Sequence, residues 1–273
     1  MLTVPETLEG WCLLHQMFRV SWPEVRHASA EEREELAEGL RRFLEGSAGG
    51  DGGSSIAIAM LGHKADLMLV HARRTFDELV QAQLDVARLP LAEALDPTSS
   101  FVSIVELGMY EMTAKIHEQL TARGLEHGTD DYRAAQKDAM QAQQGRVSSR
   151  LFLSFPARRY VCFYPMDKRR GESKNWYSTP FEKRASMMRD HGTIGRLYAG
   201  DVTQIISGAI GYDDWEWGVD LFADDPVVFK KLIYEMRFDE ASAEYGEFGQ
   251  FYTGVQFSPS EVRTWLDGRT PAL

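Results

Sequence analysis

One order of segments occurs twice in this chain, and it limits the fold more than any other feature. The run at 10–20 (GWCLLHQMFRV) reads as a strand. Ser29 followed by Glu32 is a capping box, and 30–45 then carries helical periodicity. The Gly/Ser-rich stretch 46–55 reads as a loop. Apolar runs at 56–61 and 67–72, a helical pattern at 75–89 and a strand-like run at 101–110 complete a β-α-β-β-α-β order. The second half repeats it. A strand at 159–166 is followed by Thr179-Pro180-Phe181-Glu182, which offers an N-cap, a proline at N1 and a glutamate at N3 for a helix to about 191. Runs at 203–210 and 216–223, a helix-like 226–242 and a strand at 247–255 finish the unit. Two ferredoxin-like (βαββαβ) units in tandem therefore form the expected α+β architecture, a dimeric α+β barrel within one chain. The boundaries expected are 1–123 for the first unit and 150–273 for the second. The polar, Gln/Ala/Gly-rich 124–149 lies between them, as a linker or a loosely packed helix and loop.

Charge narrows the partners. The chain has 273 residues and a net charge of −11, which disfavours nucleic acid and anionic membranes. No apolar run approaches the ~20 residues of a membrane span. The N-terminal segment does not read as a secretion signal, and two cysteines, Cys12 and Cys162, make neither a disulfide framework nor a four-cysteine metal site. A cytoplasmic protein with reduced thiols is expected. Within this acidic chain, 150–196 holds 11 basic and four acidic residues, so that window is +7 and the remainder −18. Tyr160, Phe163, Tyr164, Trp176, Tyr177 and Phe181 interleave the basic residues. A solvated basic face over ordinary core aromatics is one reading. The other is a flat apolar ligand with several anionic arms, which arginine forks suit.

His191, before Gly192, is expected at a helix end, as a capping residue or as a metal or haem ligand. The remaining histidines are scattered, with no HExxH and no zinc-ligand spacing, so a single ligating histidine points to haem iron rather than zinc. Tyr164 near a strand end is a packing residue or, beside a redox metal, an oxidisable phenol. Gln204 sits on a strand, at an edge or lining a pocket. The Walker loop and GxSxG motifs are missing from the sequence, and no GxGxxG stands in the strand–helix context it needs.

Several strings then resemble one family: Tyr164-Pro-Met-Asp-Lys-Arg-Arg, Asn175-Trp-Tyr, His191-Gly and Gly195-Arg196, Asp213-Asp-Trp-Glu-Trp-Gly, and Tyr234-Glu-Met-Arg-Phe-Asp-Glu. Leu61-Gly-His-Lys-Ala-Asp and Val105-Glu-Leu fit in the first half. Together they are similar to the coproheme decarboxylases, the haem-synthesis branch of the chlorite dismutase superfamily. The resemblance is dense from Arg150 to about Gly254 and implies tandem ferredoxin-like units with the porphyrin in the second. It implies peroxide-dependent conversion of iron coproporphyrin III (coproheme), which is both substrate and redox centre, to haem b through a monovinyl intermediate.

The resemblance also implies roles. His191 matches the proximal iron ligand, Tyr164 the tyrosine that becomes a radical, Lys168 the lysine beside the reacting propionate, and Gln204 the distal glutamine. Arg150, Ser242 and Tyr164, Pro165, Met166, Asp167 and Lys168 match positions that hold propionates. Met166, Trp176, Arg196 and Trp217 fall at or near the pocket. A neutral Gln204, where chlorite dismutases have arginine, argues against chlorite decomposition. The resemblance further implies a homopentamer and a transient contact with the coproporphyrin ferrochelatase. The alternatives are a non-catalytic haem-binding or delivery protein, and a haem peroxidase or chlorite dismutase-like enzyme.

Overall fold

The computed structural model describes residues 4–47 and 52–273. The first unit runs β1 (Thr7–Val20), α1 (Trp22–His27), α2 (Ala30–Gly46), β2 (Ser54–Met60), β3 (Leu67–Arg73), α3 (Phe76–Ala87) and β4 (Leu95–Gly108). Two further helices follow, α4 (Tyr110–Ala122) and α5 (Asp130–Leu151). The second unit runs β5 (Tyr160–Lys168), α6 (Phe181–Leu197), β6 (Thr203–Gly208), β7 (Trp217–Ala223), α7 (Val227–Met236), α8 (Glu240–Tyr245), β8 (Gly246–Phe248) and β9 (Tyr252–Phe257), and α9 (Val262–Leu266) follows it. The βαββαβ order is present twice. Among the described residues no helix is long and apolar enough to cross a membrane.

The strands form one antiparallel sheet in the order β7-β6-β4-β1-β3-β2-β9-β5, with β8 added on β5. A further β5–β7 pairing, in register from Tyr160↔Ala223 to Met166↔Trp217, closes it into a barrel. The two units are joined by β4–β6 (Ile104↔Gly208, Val105↔Ser207) and by β2–β9 (Ala57↔Phe257 to Met60↔Gly254). Closure gives each of these eight strands a neighbour on both sides.

Alternation along each strand then sorts side chains inward or outward. Leu13, Met17, Phe101, Phe163 and Phe222 fill the interior. Outside, the first unit packs Leu40 and Leu44 of α2 on Phe18, Leu67 and Leu69. The second packs Phe229 and Leu232 of α7 on Cys162, Tyr164, Val219 and Leu221. Both cysteines are buried and free.

Several elements differ from their sequence reading. Ser29 and Glu32 do form the capping box of α2. The 46–55 loop is shorter: α2 reaches Gly46, β2 begins at Ser54, and 48–51 lie outside the described residues. Most of 124–149 is helix α5, which Thr129 caps. Gly10 lets the end of α5 touch β1, since a Cβ there would lie 2.0 Å from the Leu151 carbonyl oxygen. Helix α6 starts at Phe181 without a side-chain cap. The Thr179 hydroxyl bonds the Asn175 carbonyl instead. The helix also continues past Gly192 to Leu197, because Gly192 does not take the left-handed backbone that stops a helix. The 226–242 stretch is two helices, broken where Asp239 caps α8.

A buried histidine–carboxylate pair spans the two units inside the barrel. His15 Nε2 lies 2.9 Å from Asp220 Oδ1, with both side chains fully buried. The imidazole stacks on Phe163 with centroids 4.1 Å apart. Removing one partner strands the other without water. Asp220→Ala is expected to lower unfolding free energy by about 3 kcal/mol in urea titrations. A loss under about 1 kcal/mol would contradict a holding role for the pair.

Candidate functional site

Strand alternation sets the floor of the site. Cys162, Tyr164, Met166 and Lys168 share the outer face of β5. Tyr164 stands opposite Val219, and on β6 Gln204 stands opposite Leu221. This face looks toward α6. His191 and Gly195, four residues apart, lie on one side of α6. A Cβ on Gly195 would sit 3.3 Å from Met236 Cε and 4.0 Å from Gln204 Nε2, so α6 passes close to the sheet there. Helices α7 and α8 wall the side.

His191 is mid-helix, so the helix C-terminus argument does not apply to it. Its Nδ1 lies 2.9 Å from Asp239 Oδ2. Asp239 also accepts from the Ser242 backbone N–H at 2.9 Å and from the Ser242 hydroxyl at 3.1 Å. Burial raises the Asp239 carboxyl, but hydrogen bonds from His191 and Ser242 outweigh it and hold the pKa below the ordinary value. A carboxylate on Nδ1 fixes the tautomer and leaves Nε2 for a ligand. Among the described residues no three His, Cys, Asp or Glu side chains group as metal ligands. One oriented imidazole fits a metal whose other ligands come with a macrocycle. Asp239 lies in the Tyr234–Glu240 string but had no role read for it, although an aspartate three residues before Ser242 is an N-cap signal.

Tyr164 is buried, and its ring stacks on Phe251 at 4.5 Å. Burial pushes the phenol well above its ordinary value, Cys162 adds to this, and Arg237 opposes it. Tyr164 therefore keeps its proton at neutral pH. Lys168 is buried, with Nζ 3.4 Å from the Ala241 carbonyl and 4.8 Å from the Trp176 ring centroid. Trp176 packs with Met187 and Tyr245 beside it.

The other expected residues divide. Met166 joins the apolar cluster around Tyr164. Pro165 accepts from Gly249 N–H through its carbonyl at 2.9 Å. Asp167 points away, and its carboxylate accepts from the Glu216 backbone at 2.7 Å. Ser242 lies beside His191, with its hydroxyl on Asp239. Arg196 is exposed on α6 and donates to the Thr193 hydroxyl at 2.8 Å. Trp217, at the end of β7, donates its indole N–H to Glu106 at 2.8 Å. Arg150 is exposed on the last turn of α5. Much of the basic window is neutralised by carboxylates: Arg158, Arg169, Arg170, Lys174, Lys183 and Arg189 pair with Asp224, Glu247, Glu216, Glu244, Glu240 and Glu111. Lys168 differs from these in being buried and in bonding a backbone carbonyl.

Burial lowers the Lys168 pKa to about 8, against the weaker pull of Asp239 and Glu216. The unfolded chain titrates this amine near ~10.4. Between those values the unfolded state binds more protons, so this group makes stability rise with pH across that window. Below it, burying the ammonium costs stability. Lys168→Met is expected to stabilise the porphyrin-free protein by roughly 1–3 kcal/mol near pH 7, with the gain vanishing toward pH 10. Melting curves at both pH values check this, and a gain independent of pH would contradict it.

The chain matches the family described as chlorite dismutase over residues 33–257. A Staphylococcus saprophyticus protein named coproheme decarboxylase is 42% identical over 253 residues, covering 92% of this chain and 93% of that one. A Natronomonas pharaonis relative whose name describes heme binding is 42% identical over 261 residues. The match covers 94% of this chain but only 41% of that longer protein. A solved structure described as a heme-binding protein from Thermus thermophilus superposes with a TM-score of 0.81 at 40% identity. It covers 98% of this chain and 99% of that one. With the family match spanning most of its length and both units of the fold in place, this chain belongs to the chlorite dismutase family.

Proposed function

We propose that the protein converts iron coproporphyrin III to haem b, consuming hydrogen peroxide and releasing carbon dioxide. The observation that carries this reading is a buried, protonated Tyr164 on the same strand face as a buried Lys168. Both lie on the face that looks toward the imidazole helix. The name of the Staphylococcus saprophyticus relative supports the same activity.

His191 would hold the substrate's iron through Nε2, with Asp239 fixing the ring. The substrate's iron and peroxide supply the oxidising equivalents. For each propionate, R–CH2–CH2–COOH plus H2O2 gives R–CH=CH2, CO2 and two waters. Two rounds yield haem b through a monovinyl intermediate.

The protein's part is placement and proton control. Tyr164, oxidised by loss of an electron and its phenolic proton, takes a hydrogen atom from the propionate β-carbon. Loss of a second electron and of CO2 then forms the alkene. Lys168 docks the reacting carboxylate, whose charge favours the ammonium form of a buried amine. Burial of the phenol keeps the hydrogen on Tyr164 until oxidation. Gln204 contributes a neutral amide from the strand floor of the site, which suits peroxide chemistry rather than chlorite decomposition.

The second unit, 150–273, is the porphyrin-binding part in this reading. Arg150, Arg196, Trp176, Trp217 and Ser242 are its proposed flanking groups. A homopentamer in the cytoplasm, in transient contact with the coproporphyrin ferrochelatase, belongs to the same proposal. Haem binding and delivery without chemistry is the rival, and the heme binding in the name of the Natronomonas pharaonis relative fits it. It would need His191 but not Tyr164 with Lys168.

Tyr164→Phe separates the two. It is expected to bind coproheme within about twofold of the parent and to lower peroxide-driven decarboxylation by roughly a thousandfold. Porphyrin mass spectrometry after peroxide addition reads this directly. Haem b formed by Tyr164→Phe at the parent rate would contradict the proposal.

A further inference from the structure

The Leu61–Asp66 string has no part in the chemistry above, yet its lysine reaches the tyrosine's neighbour. On one edge, β5 pairs with β9 over Tyr160–Phe163 and with β8 over Met166–Lys168. The ladder is interrupted between them, at Tyr164 and Pro165. Pro165 has no N–H to donate. The chain from β8 to β9 crosses this gap, with Gly249 N–H on the Pro165 carbonyl at 2.9 Å. A Cβ on Gly249 would lie 2.7 Å from Pro165 Cγ, so the crossing is close. It lays the Phe251 ring on Tyr164, with centroids 4.5 Å apart and planes 24° apart. Phe248 flanks the same ring at 5.9 Å and 58°.

Phe251 lies outside the ladder. Its carbonyl accepts from Lys64 Nζ at 2.5 Å. Lys64 Nζ also lies 5.7 Å from the Tyr252 ring centroid. The turn that carries Lys64 is itself fixed. Leu61 N–H donates to the Thr253 carbonyl at 2.9 Å, and the Asp66 carboxylate accepts from Val20 N–H at 2.9 Å. A turn of the first unit thus holds the segment whose Phe251 ring stacks on Tyr164.

We propose that Phe251, held by Lys64, is a positioning residue that fixes the Tyr164 ring. The inference rests on Tyr164 being the hydrogen-abstracting group. A tyrosine χ2 is broad and roughly two-fold, so its own rotamer preference does not fix the ring plane. A stacked neighbour does, and it also keeps water from that side. Hydrogen-atom transfer depends steeply on orbital alignment, and the ring plane sets the direction of the phenoxyl π orbital about an oxygen that itself lies on the χ2 axis. Lys64 acts one step back, by pinning the backbone of a segment that lacks strand pairing.

The test uses the full chain with fluorotyrosine incorporated, and Tyr164→Phe assigns the Tyr164 fluorine resonance. Phe251→Leu is expected to shift that resonance in porphyrin-free protein. It should lower the decarboxylation rate at saturating coproheme by roughly tenfold to a hundredfold, with coproheme affinity within about twofold. Lys64→Met should act in the same direction by about threefold, and Lys64→Arg should restore most of it. Lys64 is exposed, so its variants remain informative if Phe251→Leu does not fold. An unmoved resonance in Phe251→Leu and Lys64→Met overturns the proposal. So does a moved resonance with parent turnover. Normal turnover by Tyr164→Phe instead overturns the reading beneath it, and the resonance, which needs no substrate, tells the two failures apart.

Discussion

The pairing of β5 with β7 closes the sheet, and the rest of the molecule is arranged around that closure. A closed barrel has an inside too full for a ligand, here packed with Met17, Phe101, Phe163 and Phe222. Binding must therefore use the outer face, between strands and helices. Each unit has such a face. In the first, Gln16 stands opposite Leu69 and Ser55 opposite His71, as Tyr164 stands opposite Val219 and Gln204 opposite Leu221 in the second. The first face is closed by Leu40 and Leu44. Its polar groups satisfy one another: His71 meets Ser55 at 2.8 Å and Gln16 at 3.1 Å. Burial holds His71 neutral, with a pKa down to about 3. Over the second face, α6 presents His191 and the glycine of its next turn.

That face is governed by burial rather than by net positive charge. The basic window looked like an anion trap in the sequence, yet six of its cations are answered by carboxylates. Exposed pairs of this kind contribute little. The groups with leverage are the buried ones. Lys168 loses its hydration and becomes responsive to an incoming carboxylate, and Tyr164 is kept neutral. Asp239 sets the direction of an imidazole that would otherwise rotate.

The repeat was legible because apolar runs and capping are local signals. The Ser29–Glu32 box and the strand at 159–166 needed no tertiary knowledge. The failures were tertiary. Gly192 reads as a helix stop, but α6 packs through it and extends to Leu197. Residues 130–151 lack an apolar stripe and still form a helix, because Tyr132, Met140 and Leu151 dock it. Tyr164 and His191 stood out as candidates by their place at a strand end and a helix end, and their roles came from strings shared with a family. Asp239 and Phe251 were missed because their importance lies in what they touch, across 48 and 87 residues of sequence.

Oxidative decarboxylation at this face changes the mass of the porphyrin. The most direct test mixes purified protein with ferric coproporphyrin III anaerobically and titrates hydrogen peroxide, reading the porphyrin by mass spectrometry. Stepwise loss of two carboxyl groups, one per peroxide, through a monovinyl species to haem b is expected. Tight binding with an unchanged porphyrin mass, or bleaching alone, would contradict it.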